Sequence, residues 1–284
     1  MPKVKRGGIE LHWEAHGDGP PAVIVCHWSG VPSVFAPLVR ELVNSHLVVS
    51  YDARGTGQST RSGPHDIATG AADLIAILEE IGDRSVIVTL TDGCNRAVRA
   101  AAERPDLVGA VVAQGTVPVP RQQLADTDAL VGSDSVLEGF IQMLETDYRS
   151  AQRTLMTTAN PQMSEEEVRE RVDEQIAYCP SETAVARLRG WAADDSLDAG
   201  QALGDRLWVL FADGMVGPWF PPFDQLRSVM RRLLPKARLE HVEDGLVSRP
   251  DITAAVVGRA TDAGSQRRRG FGSPATPTRK PSQG

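Results

Sequence analysis

A hydroxyl, a carboxylate and a thiol fall within four residues of one another in Thr89-Leu90-Thr91-Asp92-Gly93-Cys94. This stretch follows the apolar run Val86-Ile87-Val88 and precedes helical patterning from Asn95 to Arg104, so the three groups stand where a strand turns into a helix. The helix field there favours an ionised Asp92. Its role is either a plain N-terminal cap or a general base that takes a substrate proton. Cys94 is either thiolate-prone for the same reason or a buried, inert thiol. The Thr91 hydroxyl is essentially un-ionised at neutral pH and attacks a carbonyl only when a base relieves it of its proton. A second candidate stretch is Cys26-His27-Trp28-Ser29-Gly30. His27 either handles protons or holds its loop in shape. Trp28 offers an aromatic wall.

These stretches need elements to position them. Ile9 to Glu14 alternates apolar and polar residues after Gly7-Gly8, a hairpin signal. Ala22 to Cys26, Leu47 to Tyr51, Ser85 to Leu90 and Val108 to Ala113 are short apolar runs suited to strands buried on both faces. Between them, Val34 to Val43, Ala68 to Ile81 and Asn95 to Arg104 read as helices. Strands alternating with helices predict a doubly wound, mostly parallel sheet with right-handed crossovers. The alternation stops near Val117. A mostly helical insertion follows, with helices expected over Ser135 to Met156, from the capping box Ser164-Glu165-Glu166-Glu167 to Tyr178, and over Glu182 to Ala193. Strand and helix then resume with Leu207 to Ala212, Asp224 to Leu234, Arg238 to Val242 and Asp251 to Thr261.

The expected organisation is therefore a core in two parts, 1–116 and 205–261, a helical cap over 117–204, and a tail over 262–284. The tail is rich in Gly, Ser, Pro, Thr and Arg and is expected to be disordered. A hydrophobic fraction of 41% supplies a proper core, and a net charge of −7 argues against nucleic-acid binding. Three cysteines read as reduced thiols, no leader-like apolar segment opens the chain, and no run reaches the roughly 20 apolar residues of a membrane helix. The expectation is a cytoplasmic protein with no membrane association. No metal-ligand spacing appears and no cofactor is expected, since Gly55-Thr56-Gly57 lacks the third glycine of a dinucleotide loop and follows the wrong strand.

Several signatures together resemble the α/β-hydrolase family. Val23-Ile24-Val25-Cys26-His27-Trp28-Ser29-Gly30 looks like the strand whose following loop supplies an oxyanion-hole amide. Tyr51-Asp52-Ala53-Arg54-Gly55-Thr56-Gly57-Gln58-Ser59 is similar to the family's Asp-x-Arg-Gly-x-Gly-x-Ser turn. Asp52 can hydrogen-bond neighbouring amides there, and the role is structural. Ala101 to Asp106 and Ser248 to Asp251 match the end of the helix behind the nucleophile and the approach to the last helix. The resemblance covers roughly residues 3 to 261.

The same resemblance shows what has changed. The family's nucleophile occupies an elbow between strand and helix, and here that position is Thr91. The acid position falls on Met215, with Asp213 two residues earlier, and the histidine position on Leu246. The other histidines lie in the first hairpin (His12, His16), before a strand (His46), at a helix start (His65) and in the last strand (His241). Acyl transfer needs an activated nucleophile, an oriented base and an oxyanion hole.

The leading expectation is a small organic molecule bound under the cap, with proton-transfer chemistry of the epimerase, lyase or isomerase kind. Thr91, Asp92 and His27 would be the reacting groups, and Trp28, Ser29, Met215, Trp219 and Leu246 would line the pocket. Amides near Trp28 and Asp92 would stabilise an enolate. Two alternatives stand beside it: an ester or thioester hydrolase pairing Thr91 or Cys94 with His27 or His241, and a ligand-binding protein without chemistry. Oligomeric state is open.

Overall fold

A computed structural model describes residues 2–212, 219–242 and 249–270, with side chains to residue 264. Asp213, Met215 and Leu246 lie outside the described residues.

The chain opens with β1 (Lys3–Arg6) and β2 (Ile9–His16), joined at Gly7 and Gly8. Both glycines have positive φ, 54° and 82°, as a tight two-residue hairpin turn requires. Then come β3 (Pro21–Val25), α1 (Ala36–Leu42), β4 (Leu47–Tyr51), α2 (Ile67–Ile81), β5 (Ser85–Leu90), α3 (Gly93–Glu103) and β6 (Val108–Gln114). After the insertion the sheet continues with β7 (Leu207–Phe211), α9 (Phe223–Leu233), β8 (Arg238–His241) and α10 (Pro250–Gly270). Among the described residues the eight strands form one sheet in the order β1-β2-β4-β3-β5-β6-β7-β8. The pairings of β1 with β2 and of β2 with β4 are antiparallel, and all the others are parallel. The fold class is the α/β arrangement expected from the alternation.

Continuous apolar strands here mean burial on both faces. Val23, Val49, Ile87, Val111 and Val209 join one core cluster, and their neighbours Ile24, Val48, Val88, Val112 and Leu210 join the other. The period of two in each strand thus feeds two cores, one per face. Helices α2, α3 and α9 cover the first, and α1 and α10 the second.

The insertion contains α4 (Asp134–Thr146), α5 (Tyr148–Ala159), α6 (Glu165–Tyr178), α7 (Ser181–Ala192) and α8 (Leu197–Leu203). Its own core gathers Leu137, Phe140, Ile141, Leu144, Val185 and Leu188, with Trp28 reaching up from the sheet side. The capping box at Ser164 and Glu167 forms as expected.

Two elements differ from the sequence reading. The single helix expected over Ser135 to Met156 is broken at Asp147, whose φ of −145° leaves the helical region. Its carboxylate instead accepts the Ser150 amide at 3.0 Å and caps α5, a local competition that short acidic side chains win readily. The last helix also continues nine residues past Thr261, to Gly270, into the stretch assigned to a disordered tail. No proline interrupts the chain before Pro274, and arginine is a good helix former. Residues 271–284 lie outside the described residues.

Candidate functional site

Strand β5 delivers Thr91 to the carboxyl edge of the sheet, where ligands gather in open α/β folds. Thr91 has φ of 44°, the only positive φ at a non-glycine among the described residues. A β-branched residue in this region is a genuine outlier, and such strain costs on the order of 1–3 kcal/mol. The tight turn needs Gly93 beneath it, since a Cβ there would lie 2.7 Å from the Val25 carbonyl oxygen. Strand β3 and the start of α3 are thereby brought into backbone contact, with His27 and Trp28 beside Thr91.

The Thr91 hydroxyl donates to Asp92 Oδ1 at 3.3 Å, a long bond. Asp92 is buried and does not cap α3 through its side chain, contrary to the simpler of the two sequence readings. Its Oδ2 instead accepts from Arg96 at 3.0 Å, one turn along the helix. Arg96 also donates to the Cys26 carbonyl at 2.5 Å, tying the loop after β3 to α3. This reach across a turn satisfies a buried charge that a cap could not neutralise.

His27 presents Nδ1 to the Ser29 amide at 3.4 Å. Accepting that bond leaves the neutral ring's proton on Nε2, so the ring is a donor there rather than a base. Burial pushes its pKa down to about 4, the nearby Asp92 charge opposing this only in part. The imidazole is neutral at physiological pH. Gly30 packs directly on it: a Cβ at Gly30 would stand 2.3 Å from His27 Cδ2.

A cavity of about 250 Å³ opens between these groups and the cap. His27, Trp28, Thr91 and Asp92 form its floor. Phe140, Leu155, Met156, Leu188 and Trp191 of the cap, with Trp219 and Phe220 after β7, supply its walls. Trp28 meets Phe140 edge-on at 6.1 Å, and Phe140 meets Trp219 at 4.8 Å. Behind Asp92 lies a second, much smaller cavity of about 20 Å³, room for about one water. It is lined by Arg96, Arg187 and the Arg54–Asp73 pair, which is bidentate at 2.6 and 2.9 Å. Arg187 is buried, bonds the His27 carbonyl at 3.4 Å, and has no carboxylate partner among the described residues.

No protein-family model matches the chain. A protein of Azorhizobium caulinodans, provisionally named carbamate hydrolase RutD, is 34% identical over 83 residues, or 29% of this chain and 31% of that protein. The chain thus spans about a third of that relative's length. The Caulobacter vibrioides protein of the same name is 28% identical over 211 residues, 69% of this chain and 74% of its own. The crystal structure of the enol-lactonase from Burkholderia xenovorans LB400 superposes with a TM-score of 0.72 at 19% identity, covering 93% of this chain and all of that one. The chain is an α/β-hydrolase-fold protein.

Within this α/β-hydrolase frame Thr91 sits at the elbow, where the sequence placed it. Thr91, Asp92, His27, Trp28 and Trp219 come together at one cavity. Ser29 does not: it is fully buried and absent from the cavity wall, because the His27–Gly30 turn folds it inward. Of the six histidines, all described, His27 alone lines this cavity. His241 stacks on Phe223 at 4.1 Å, on the far strand, which leaves no support for pairing it with Thr91. Cys94 is fully buried, and burial pushes its thiol far above the ordinary range, so the inert reading holds. Asp52 accepts the Gln58 amide at 2.8 Å, as expected. It also receives the Tyr178 hydroxyl at 2.8 Å, a cap contact no local pattern announces. Arg96 and Arg187 were missed for the same reason. An arginine on a helix reads as a solvated face unless its burial is known.

Proposed function

We propose that this α/β-hydrolase-fold protein binds an uncharged, largely apolar small molecule between sheet and cap, and does not hydrolyse esters through Thr91. The aromatic wall around a cavity of about 250 Å³ supports binding. One observation carries the second half: His27, the only histidine at the cavity, is held near pKa 4 with Nδ1 already accepting a bond. A group so weakly basic takes little of a hydroxyl's proton at neutral pH. The names of the relatives set hydrolysis as the reading to beat. The test is p-nitrophenyl butyrate turnover by the full chain and by Thr91→Ala, beside labelling with a fluorophosphonate. Equal background rates and no label are expected. Turnover lost in Thr91→Ala, or label on Thr91, would overturn the reading. Nile red should bind saturably with an emission increase, and Ala159→Trp, which fills the cavity, should weaken that binding severalfold.

A second reading, proton transfer on a bound substrate, is favoured by one contact. Asp92 borders the cavity and shares the Thr91 hydroxyl at 3.3 Å. The Asp92–Thr91 pair would relay a proton, with backbone amides near Trp28 and Asp92 holding an enolate. Under this reading Asp92→Asn abolishes turnover, and under plain binding it barely changes Nile red affinity.

A further inference from the structure

Among the described residues lining the large cavity, one has a fully buried polar side-chain atom with no hydrogen-bond partner, and it is on the cap. Asp92 is neutralised by Arg96. Arg171, at the cavity's cap end, is bonded to Glu174 at 2.8 Å and to Ser33 at 2.9 Å. Asn160 spends its NH₂ on the Met156 carbonyl at 3.1 Å. Gln175, on α6, also lines the cavity. It is 1% exposed, and its Oε1 is buried with no hydrogen-bond partner. A buried polar atom without a partner is uncommon and costly, and ligand recognition is one reason such a group is kept.

We propose that the natural ligand is an uncharged aromatic or alicyclic molecule carrying one hydroxyl, which pairs with the carboxamide of Gln175. The proposal rests on the small-molecule reading above and adds the ligand's polar group and its contact. No described residue offers the cavity an unpaired charge, so an ionic ligand would leave its charge desolvated. A carboxamide's two ends have the same shape, and a half-turn of its last torsion exchanges donor for acceptor. A hydroxyl, which does both, suits either end. A site that keeps a buried polar group for a hydroxyl also rejects the analogue lacking it, because its own group is then stranded.

The experiment is calorimetric titration of the full chain with 2-naphthol and with 2-methylnaphthalene, which differ by a hydroxyl replaced by a methyl of similar size. The wild type should prefer 2-naphthol by roughly ten- to hundredfold, the range left by stranding one buried neutral group. Gln175→Leu should erase the preference while keeping affinity for 2-methylnaphthalene, and Gln175→Met serves as a second variant should leucine disturb folding. Equal binding of both compounds by the wild type, or a preference that survives in the variants, overturns the Gln175 assignment and leaves the binding reading standing. Failure of both compounds to bind overturns the assignment and the binding reading together.

Discussion

Asp92 has two sides, and they could hardly differ more. In front of it is a chamber of indoles, phenyl rings and methionines. Behind it, three buried arginines and Asp73 crowd a space the size of a water molecule. The same carboxylate borders both. The Asp92 charge is handled at the back, by Arg96 at 3.0 Å, and so it is not left unpaired at the front. An apolar pocket beside a buried ion pair is possible only because the pair is complete: breaking one by removing a partner leaves the other charge stranded.

Arg96→Met should break that division most severely. It strands Asp92 and the Cys26 carbonyl, and should cost about 3–5 kcal/mol of stability in denaturant titration. A loss no larger than that of an exposed change, within about 0.5 kcal/mol, would mean that the rear cluster does not hold Asp92.

A smaller effect sharpens the contrast through pH. The folded His27 stays neutral down to about pH 4, whereas the unfolded chain takes up its proton near pH 6.5. Between those values the unfolded state binds more protons, so stability falls as pH falls, by up to about 1.4 kcal/mol per pH unit from this group. His46 and His65, also lowered by burial, act in the same direction. Urea titrations at pH 7 and pH 5 should show a drop of a few kcal/mol in the wild type, and a clearly smaller one in His27→Gln. Identical drops would place the acid sensitivity elsewhere.

The smallest expected effect has the opposite sign. Thr91→Gly removes a β-branched side chain from φ 44°, where glycine is at ease, and should raise stability by about 1 kcal/mol. A loss in that variant would mean that the Thr91 hydroxyl bond to Asp92 outweighs the backbone strain.

Local patterning made the frame legible. Apolar runs of five to seven residues could hardly be anything but buried strands once helices alternated with them, and the Thr91 elbow followed from the strand-to-helix junction. Thr91 and Asp92 were visible because they fall at that junction, and Trp28 because it follows strand β3. What stayed hidden is tertiary. Arg96 and Arg187 sit on helices, as solvated arginines do, and only their packing reveals them as the back wall. Gln175 looks like any polar residue of an acidic helix, yet its buried amide oxygen lacks a partner where the helix lines the cavity. Ser29 was misplaced because one residue's rotation in a loop moves a side chain from cavity to core, and no periodicity governs loops.

The clustering of Trp28, Trp191 and Trp219 around one chamber has a practical side. Three of the five tryptophans in the chain thus share a single environment. The protein carries its own optical gauge. A shift or quenching of its intrinsic emission on mixing with a candidate metabolite would report occupancy directly, without label, tag or assay chemistry, and a library could be screened on that signal alone.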